Sequence, residues 1–178
     1  THEANVRSGT LPSETAVVRQ RYDRSARRYD LMTWPMEVLA MDRYRARLIS
    51  RITGSHVLEV GVGTGRNLPL YPDTVQVDAI DFSPRMLERA QRRPPRANVH
   101  LALMDVEQLQ WPSGTFDTVV ATCVFCSVPD PVKGLIEMRR VLRPGGQALF
   151  LEHMRPGAQW LASVFDWLDP IVSRSGPH

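Results

Sequence analysis

The hydrophobic pattern of the chain alternates short apolar runs with stretches of helical spacing. Five runs, each bounded by Gly, Pro, Asp or Ser, predict β-strands at residues 56–60, 75–80, 98–103, 116–122 and 147–153. Between them, Ser83 and Pro84 predict the start of one helix, and Pro144-Gly145-Gly146 predicts the end of another. Such alternation is typical of a parallel sheet covered by helices on both faces.

The order of the strands follows from general rules of chain connection. Right-handed crossovers, with a reversal after the third strand, give the order 3-2-1-4-5. A ligand crevice is then expected at the carboxyl ends of the strands, beside the reversal. The predicted fold class is α/β, a doubly wound parallel sheet of the Rossmann-like type.

Composition and charge narrow the class of protein without deciding its function. The 178 residues are 43% hydrophobic and 23% charged, which suits a globular chain with a core. No apolar run reaches the ~18 residues of a membrane span, and the first residues lack the apolar block of a signal peptide, so a cytoplasmic protein is expected. The net charge of +3 allows weak attraction to anionic lipid, but a solvated basic surface also explains it.

The two cysteines, Cys123 and Cys126, stand in CVFC, a spacing that also occurs in redox pairs and zinc sites. A structural zinc site needs about four ligands, and the sequence has no second cysteine pair. The pair follows a predicted strand instead of opening a helix, which argues against a thioredoxin-like pair. We therefore expect two buried or pocket-lining thiols and no metal.

The segment VLEVGVGTGRN, residues 57–67, places three glycines directly after the first predicted strand. Glycine lets a backbone turn tightly and approach a ligand closely. A dinucleotide-binding loop has the pattern G-x-G-x-x-G, but Arg66 occupies the sixth position here. The loop therefore predicts a ligand site and argues against the nicotinamide dinucleotide class.

Glu59 and these glycines form E-x-G-x-G-x-G, which resembles the first motif of class I S-adenosylmethionine-dependent methyltransferases. Asp81 resembles the family's acidic residue that holds both ribose hydroxyls, and one carboxylate can accept from two vicinal hydroxyls. Asp105 and Val106 match the family's adenine contact, although Asp105 also suits a turn. FDTVVATCVFCSV and RRVLRPGGQALFLEH resemble the fourth-strand and fifth-strand motifs, so four further motifs follow the first in the family's order.

The resemblance implies S-adenosylmethionine as cofactor, S-adenosylhomocysteine as product, and a set of cofactor-binding residues. That set is Tyr22, Tyr29, Glu59, Gly61, Gly63, Thr64, Gly65, Asn67, Asp81, Phe82, Met86, Asp105, Val106, Thr122 and Cys123. His153 is a candidate base or phosphate contact, with a structural histidine as the alternative, and Tyr29 is the second catalytic candidate. Glu152 is expected to orient His153 or to face solvent.

Residues from about 17 to 170 resemble the methyltransferase type 11 branch. It includes the UbiE-like quinone C-methyltransferases, the bacterial phosphatidylethanolamine N-methyltransferases and the thiol methyltransferases. The resemblance implies methyl transfer to a lipid or small hydrophobic acceptor, with phospholipid N-methylation as the leading expectation. Thiol S-methylation, quinone C-methylation and a non-catalytic nucleotide-binding domain are the alternatives. A nucleic-acid partner is not expected, because no N/D-P-P-Y-type segment follows the fourth strand.

The predicted domain organisation has a flexible segment at residues 1–16, a helical lid at 17–52 and a cofactor-binding domain at 53–178. Tyr22 and Tyr29 share one helical face and resemble the branch's cofactor-capping segment, although a packing stripe has the same spacing. Five arginines between positions 19 and 28 make this helix a candidate membrane contact, with a solvated lid as the alternative.

The C-terminal part departs from the family pattern. Family members continue beyond the fifth strand to an antiparallel hairpin that completes a seven-stranded sheet. Here the chain ends with WLASVFDWLDPIVSRSGPH, so the final two strands are expected to be lacking. The sequence leaves the methyl acceptor and the oligomeric state open.

Overall fold

The computed structural model describes residues 41–94 and 98–152, which form one parallel sheet with helices on both faces. The strands are β1 His56–Val60, β2 Gln76–Asp81, β3 Asn98–Leu103, β4 Phe116–Thr122 and β5 Leu142–Leu151. The helices are α1 Asp42–Ile49, α2 Pro84–Ala90 and α3 Pro131–Val141, and Leu68–Leu70 and Val106–Gln108 are 3₁₀ turns. The sheet order β3-β2-β1-β4-β5 confirms the predicted order and fold class.

Two of the helices begin with the same type of N-cap. The Ser83 hydroxyl accepts the Met86 N–H at the start of α2, and the Asp130 carboxylate accepts the Lys133 N–H at the start of α3. In each helix the next residue is proline, whose missing N–H costs nothing in the first turn. The helix start predicted from Ser83 is therefore confirmed.

The predicted start of the last strand was wrong by five residues. β5 begins at Leu142, directly after α3, whereas the prediction placed its start at position 147. Leu142 pairs with Phe116 and Gln147 pairs with Thr118. Residues 143–146 of β5 therefore form a β-bulge opposite the one β4 residue between Phe116 and Thr118. Gly145, at φ +79°, accommodates this bulge within the strand.

Alternation along the strands divides the core into two layers, one on each face of the sheet. In β1, Val57 points to one layer, while Leu58 and Val60 point to the other. In β4, Val120 joins the first layer and Val119 the second. Both layers are buried, as expected for a parallel sheet covered on two sides.

Helix α3 confirms the predicted helical segment but buries only part of its apolar surface. Met138 and Val141 are buried in the second layer. Val132 and Ile136 are 63% and 61% exposed, because they lie on the side of the helix that faces away from the sheet. Within the described residues, no helix combines the length and apolarity needed to cross a bilayer.

The described residues cover only part of the predicted domain organisation. Helix α1 lies within the predicted lid at 17–52, but residues 1–40 are outside the described part. Residues 153–178 are outside it as well, so the expected lack of two further strands stays a prediction.

Candidate functional site

A cleft opens at the carboxyl ends of β1, β2 and β4, where a doubly wound sheet binds its ligands. Its main cavity has a volume of about 630 Å³, including space open to solvent. The predicted cofactor-binding residues that line it are Glu59, Gly61, Gly63, Thr64, Asp81, Phe82, Met86, Thr122 and Cys123.

An adjoining cavity of about 420 Å³ lies toward the end of β3. Asp105 and Val106 line it, and Gly61, Asp81 and Phe82 border both cavities. The structure therefore brings together residues from four sequence motifs. Gly65 and Asn67 line neither cavity, while Tyr22, Tyr29 and His153 fall outside the described residues.

The glycine-rich loop leaves space at one position and packs tightly at another. Gly63 has φ +55°, and no atom lies within 4 Å of the position that a Cβ would occupy. A Cβ at Gly65 would instead meet Ala90 and Leu68. Gly63 thus borders the open cleft, whereas Gly65 allows the loop to pack on α2.

The Asp81 carboxylate is held rigidly at the end of β2. Its Oδ2 accepts the Gly63 N–H at 2.8 Å, and its Oδ1 accepts the Ser83 N–H at 2.9 Å. A carboxylate has about four lone-pair positions and can accept from several donors at once. Asp81 thereby connects the glycine loop to the start of α2 and presents an oriented acceptor to both cavities.

Glu59 belongs to a buried chain of polar side chains. Asn67 Nδ2 donates to Glu59 Oε1 at 2.8 Å and to Thr122 Oγ1 at 3.0 Å. Arg45 Nη1 donates to Asn67 Oδ1 at 3.0 Å. Asn67 therefore links α1, β1 and β4.

Burial changes the acidity of Glu59. It raises the Glu59 pKa from 4.5 to about 7, against the lowering effects of the Asn67 hydrogen bond, the nearby Tyr71 hydroxyl and the Arg45 charge. The charge of Asp81 raises this pKa further. Within the described part of the chain, Glu59 Oε2 and the Tyr71 hydroxyl have no hydrogen-bond partner of standard geometry. Burial, followed by the charge of Glu59, raises the Tyr71 pKa as well.

Asp105 serves as a turn residue and also lines the second cavity. Its Oδ1 accepts the Glu107 N–H at 2.9 Å, which caps the 3₁₀ turn Val106–Gln108. Ile80, Met104 and Val106 supply apolar surface beside it. The two interpretations offered by the sequence are therefore compatible.

The loop after β4 is shaped by a residue whose role the sequence did not reveal. Glu152 Oε1 accepts the N–H groups of Val124 and Phe125, at 3.0 and 3.3 Å. It faces this loop instead of solvent.

Cys123 lines the main cavity with φ +55°, whereas Cys126 is exposed, so the expectation of a buried or pocket-lining thiol was wrong for Cys126. Cys126 lies on an outer turn, where its thiol donates to the Cys123 carbonyl at 3.8 Å.

Arg45 is the main site residue that sequence reasoning missed. It is 8% exposed and lines the main cavity from α1. The segment DRYRARLI contains three arginines, and nothing in their spacing distinguishes the central one. Only the packing of α1 against the turn at Asn67 brings Arg45 to the cleft.

Comparison with known proteins identifies the family. A sequence model described as "Methyltransferase domain" matches residues 58–150, which covers more than half of the chain. The chain belongs to the S-adenosylmethionine-dependent methyltransferases. The family's methyl donor is S-adenosylmethionine, in agreement with the expectation from the sequence motifs.

Three curated relatives show the breadth of this methyltransferase family. Phosphatidylethanolamine N-methyltransferase of Cereibacter sphaeroides is 41% identical over 129 residues, covering 70% of this chain and 64% of the relative. Human thiol S-methyltransferase TMT1B is 37% identical over 143 residues, covering 71% and 56%. Demethylmenaquinone methyltransferase of Beutenbergia cavernae is 37% identical over 140 residues, covering 76% and 57%. The methyltransferase chain thus spans 56–64% of the length of these relatives.

Solved structures support the methyltransferase fold. The DhpI–SAH complex is 25% identical, with a TM-score of 0.65 and coverage of 79% of this chain and 70% of that one. A methyltransferase from Thermotoga maritima, 22% identical, has a TM-score of 0.68 and coverage of 86% and 69%. The second similarity concerns the fold alone.

Proposed function

We propose that this methyltransferase transfers a methyl group from S-adenosylmethionine to the amine of a phosphatidylethanolamine-type phospholipid. The observation that carries this proposal is the 41% identity with the phosphatidylethanolamine N-methyltransferase of Cereibacter sphaeroides. The alignment with this relative covers 129 residues, so it extends beyond the 93 residues, 58–150, that match the family model. The broader activity, methyl transfer to a lipid or small hydrophobic acceptor, underlies every variant of the proposal.

The proposed cofactor position rests on the chemistry of the two cavities. Asp81 would accept from the two ribose hydroxyls, because its oxygens are already oriented by Gly63 and Ser83. The apolar surface beside Asp105 and Val106 suits a flat adenine ring. The open space at Gly63 would let the backbone approach the ligand. One oxygen of buried Glu59 has no hydrogen-bond partner of standard geometry among the described residues, which suits the positive charges of the methionine part.

The remaining predicted cofactor contacts fall into two groups. Thr64, Phe82, Met86, Thr122 and Cys123 line the main cavity and would complete the binding surface. Gly65 and Asn67 would act indirectly, by packing and by holding Glu59. Tyr22 and Tyr29 are proposed to close the site from the helical lid.

When bound, S-adenosylmethionine supplies a methyl group activated by a sulfonium sulfur. The task of the protein is then to hold the acceptor in line with that methyl group and to exclude water. An amine attacks in its neutral form, so a base that accepts its proton assists the transfer. We assign this role to His153, with Tyr29 placing the reacting groups.

The route of a lipid acceptor is proposed to run beside the N-terminal helix. The arginines between positions 19 and 28 would contact anionic headgroups, and Val17 and Val18 of the same segment would supply apolar contact with the membrane surface. A peripheral contact of this kind would bring the phospholipid amine to the cleft.

A small thiol is the second candidate acceptor, favoured by the 37% identity with human TMT1B. A thiol reacts as its thiolate, which positive groups stabilise. Arg45 and Arg66 both line the main cavity and would supply such charge. A quinone acceptor, as the name of the Beutenbergia relative indicates, is a third candidate.

Transfer of labelled methyl from S-adenosylmethionine tests the acceptor directly. The chain is incubated with phosphatidylethanolamine vesicles, with a small alkyl thiol and with a demethylated quinone in parallel. We expect label in the lipid, loss of that label in Asp81→Ala, and its retention in the matched surface variant Glu88→Gln. Label confined to the thiol or the quinone would replace the phospholipid proposal. Cofactor binding without label in any acceptor would favour a non-catalytic nucleotide-binding domain.

A further inference from the structure

Glu59 is a fully buried carboxyl group that nevertheless borders the open cleft. It is 2% exposed and lines the main cavity, and its Oε2 has no hydrogen-bond partner of standard geometry within the described residues, although the nearby Tyr71 hydroxyl lowers its pKa. Its other oxygen accepts a hydrogen bond from the amide of Asn67. A buried carboxylate with so little pairing is costly, so such a group readily takes up a proton.

Within the described residues, the groups around Glu59 come from several elements. Arg45 reaches it from α1, Asn67 and Tyr71 from the loop after β1, Asp81 from β2, Thr122 from β4 and Cys123 from the loop after β4. The charges that act on Glu59 are those of Arg45 and Asp81, which have opposite effects on its pKa. Arg66 also lines the cavity but has no comparable effect on that pKa.

The protonation state that the site favours for Glu59 depends on whether the site is empty, holds the methyl donor or holds the product. The charges of Arg45 and Asp81 act on Glu59 in opposite directions, so burial remains the main influence and favours protonated Glu59 in the empty site. The methyl donor carries a sulfonium, an ammonium and a carboxylate, and its net positive charge favours ionised Glu59. The product has a neutral sulfur and no net charge, which restores the preference for the protonated form.

We infer that Glu59 exchanges a proton with solvent during the cofactor cycle: it is a carboxylate beside S-adenosylmethionine and a carboxylic acid beside S-adenosylhomocysteine or in the empty site. The inference rests on the proposed cofactor position. The proton released when the donor binds is taken up again after methyl transfer, so the cycle is balanced. A pKa of about 7 in the empty protein makes this exchange effective at neutral pH.

One consequence concerns selectivity between donor and product. Donor binding must ionise Glu59 at low pH, whereas product binding need not. Raising the pH from 6 to 8 should therefore tighten S-adenosylmethionine binding about tenfold relative to S-adenosylhomocysteine binding. The α-amino group titrates at about 7.7–8.0 in a free amine, but both ligands carry it, so its effect largely cancels in the ratio.

Calorimetry in buffers of different ionisation enthalpy measures the proton exchange. At pH 7, phosphate and Tris are compared for each ligand with the full chain. Wild type should release about half a proton more with S-adenosylmethionine than with S-adenosylhomocysteine. Glu59→Gln, which cannot ionise, should abolish this difference, and the matched surface variant Glu88→Gln should keep it.

The outcomes separate this inference from the proposed cofactor site. If neither ligand binds the wild type in the cleft, the cofactor position itself is wrong. If both bind but the proton difference is zero, or persists in Glu59→Gln, the proton exchange is wrong while the cofactor site stands. Should Glu59→Gln fail to fold, the dissociation constants of wild type between pH 6 and 8 decide the matter, because a ratio that does not change with pH contradicts the inference.

Discussion

Two carboxylates at opposite ends of neighbouring strands show how differently the molecule uses the same kind of group. Asp117, at the amino end of β4, accepts the N–H groups of Ser55 and His56 at 3.0 Å and pairs with Arg143 at 2.6 Å. The backbone hydrogen bond from His56 is the main cause of its lowered pKa. Glu59, at the carboxyl end of β1, is buried, accepts a hydrogen bond from the Asn67 amide and has a raised pKa.

The two ends of the strands therefore differ in purpose. The carboxylate at the amino end supports stability, and the carboxylate at the carboxyl end borders the candidate functional site. At the amino end, the charge of Asp117 is well paired and joins β4 to the start of β1 and to β5. At the carboxyl end, the sheet tolerates an under-paired carboxyl group beside an open cavity. Buried carboxylates are normally paired, and an exception at one place in an otherwise well-paired protein is typical of a functional site.

The largest effect on stability is expected from a glycine at the amino end. Gly54 has φ +76°, and an added Cβ would overlap the Asp117 side chain. We expect Gly54→Ala to lower the free energy of unfolding by about 2–5 kcal/mol, from strain plus overpacking. Denaturant titration measures it, with Gly63→Ala as the counterpart in open space. If the two variants are equally stable, the contrast between the two ends is wrong.

Removal of the Asp81 carboxylate should have the largest effect on cofactor binding. Two hydrogen bonds to a charged acceptor contribute about 1.5–3 kcal/mol each, so Asp81→Ala should weaken S-adenosylmethionine binding by about 100-fold or more. Calorimetry gives the affinity, and thermal unfolding checks the fold because Gly63 and Ser83 lose their acceptor. Normal affinity in this variant would refute the ribose assignment.

The raised pKa of Glu59 predicts an unusual dependence of stability on pH. The folded state keeps a proton that the unfolded state releases above about pH 4.5, so the free energy of unfolding falls as pH rises from 4.5 to 7. This loss should be about 1–2 kcal/mol between pH 5 and 7. Glu59→Gln should remove that part of the slope in chemical unfolding curves. Identical slopes in both proteins would show that Glu59 ionises normally.

The smallest effect is expected at the opposite carboxylate. Asp117→Asn keeps one acceptor but loses the charge beside Arg143, so the free energy of unfolding at pH 7 should fall by about 0.5–1.5 kcal/mol. Because folding lowers the Asp117 pKa, the stabilisation by its carboxylate is present above pH 3.8. It is lost as the pH falls through the pKa of Asp117 in the folded protein. Cofactor affinity should not change. A large loss of affinity would show that the two ends are coupled.

The strand order and the position of the glycine loop could be predicted from the sequence because they depend on local patterns. Apolar runs between turn residues reveal strands, and right-handed connections restrict their order. The start of β5 could not be predicted, because the bulge that contains Gly145 becomes a strand only by pairing with β4. The roles of Arg45 and Glu152 were missed for the same reason, since their partners lie 22 and 27–28 positions away along the chain.

The sequence by itself determined the α/β architecture, the methyltransferase family and the residues that reach the cleft from the ends of β1, β2 and β4. These features follow from short motifs whose spacing already carries the backbone geometry. Only the tertiary structure decided which groups surround Glu59, since burial and the packing of α1 bring Arg45, Asn67 and Thr122 together. The acidity of a carboxyl group depends on its distance from other charges and from water, and distances of that kind exist only in the folded chain.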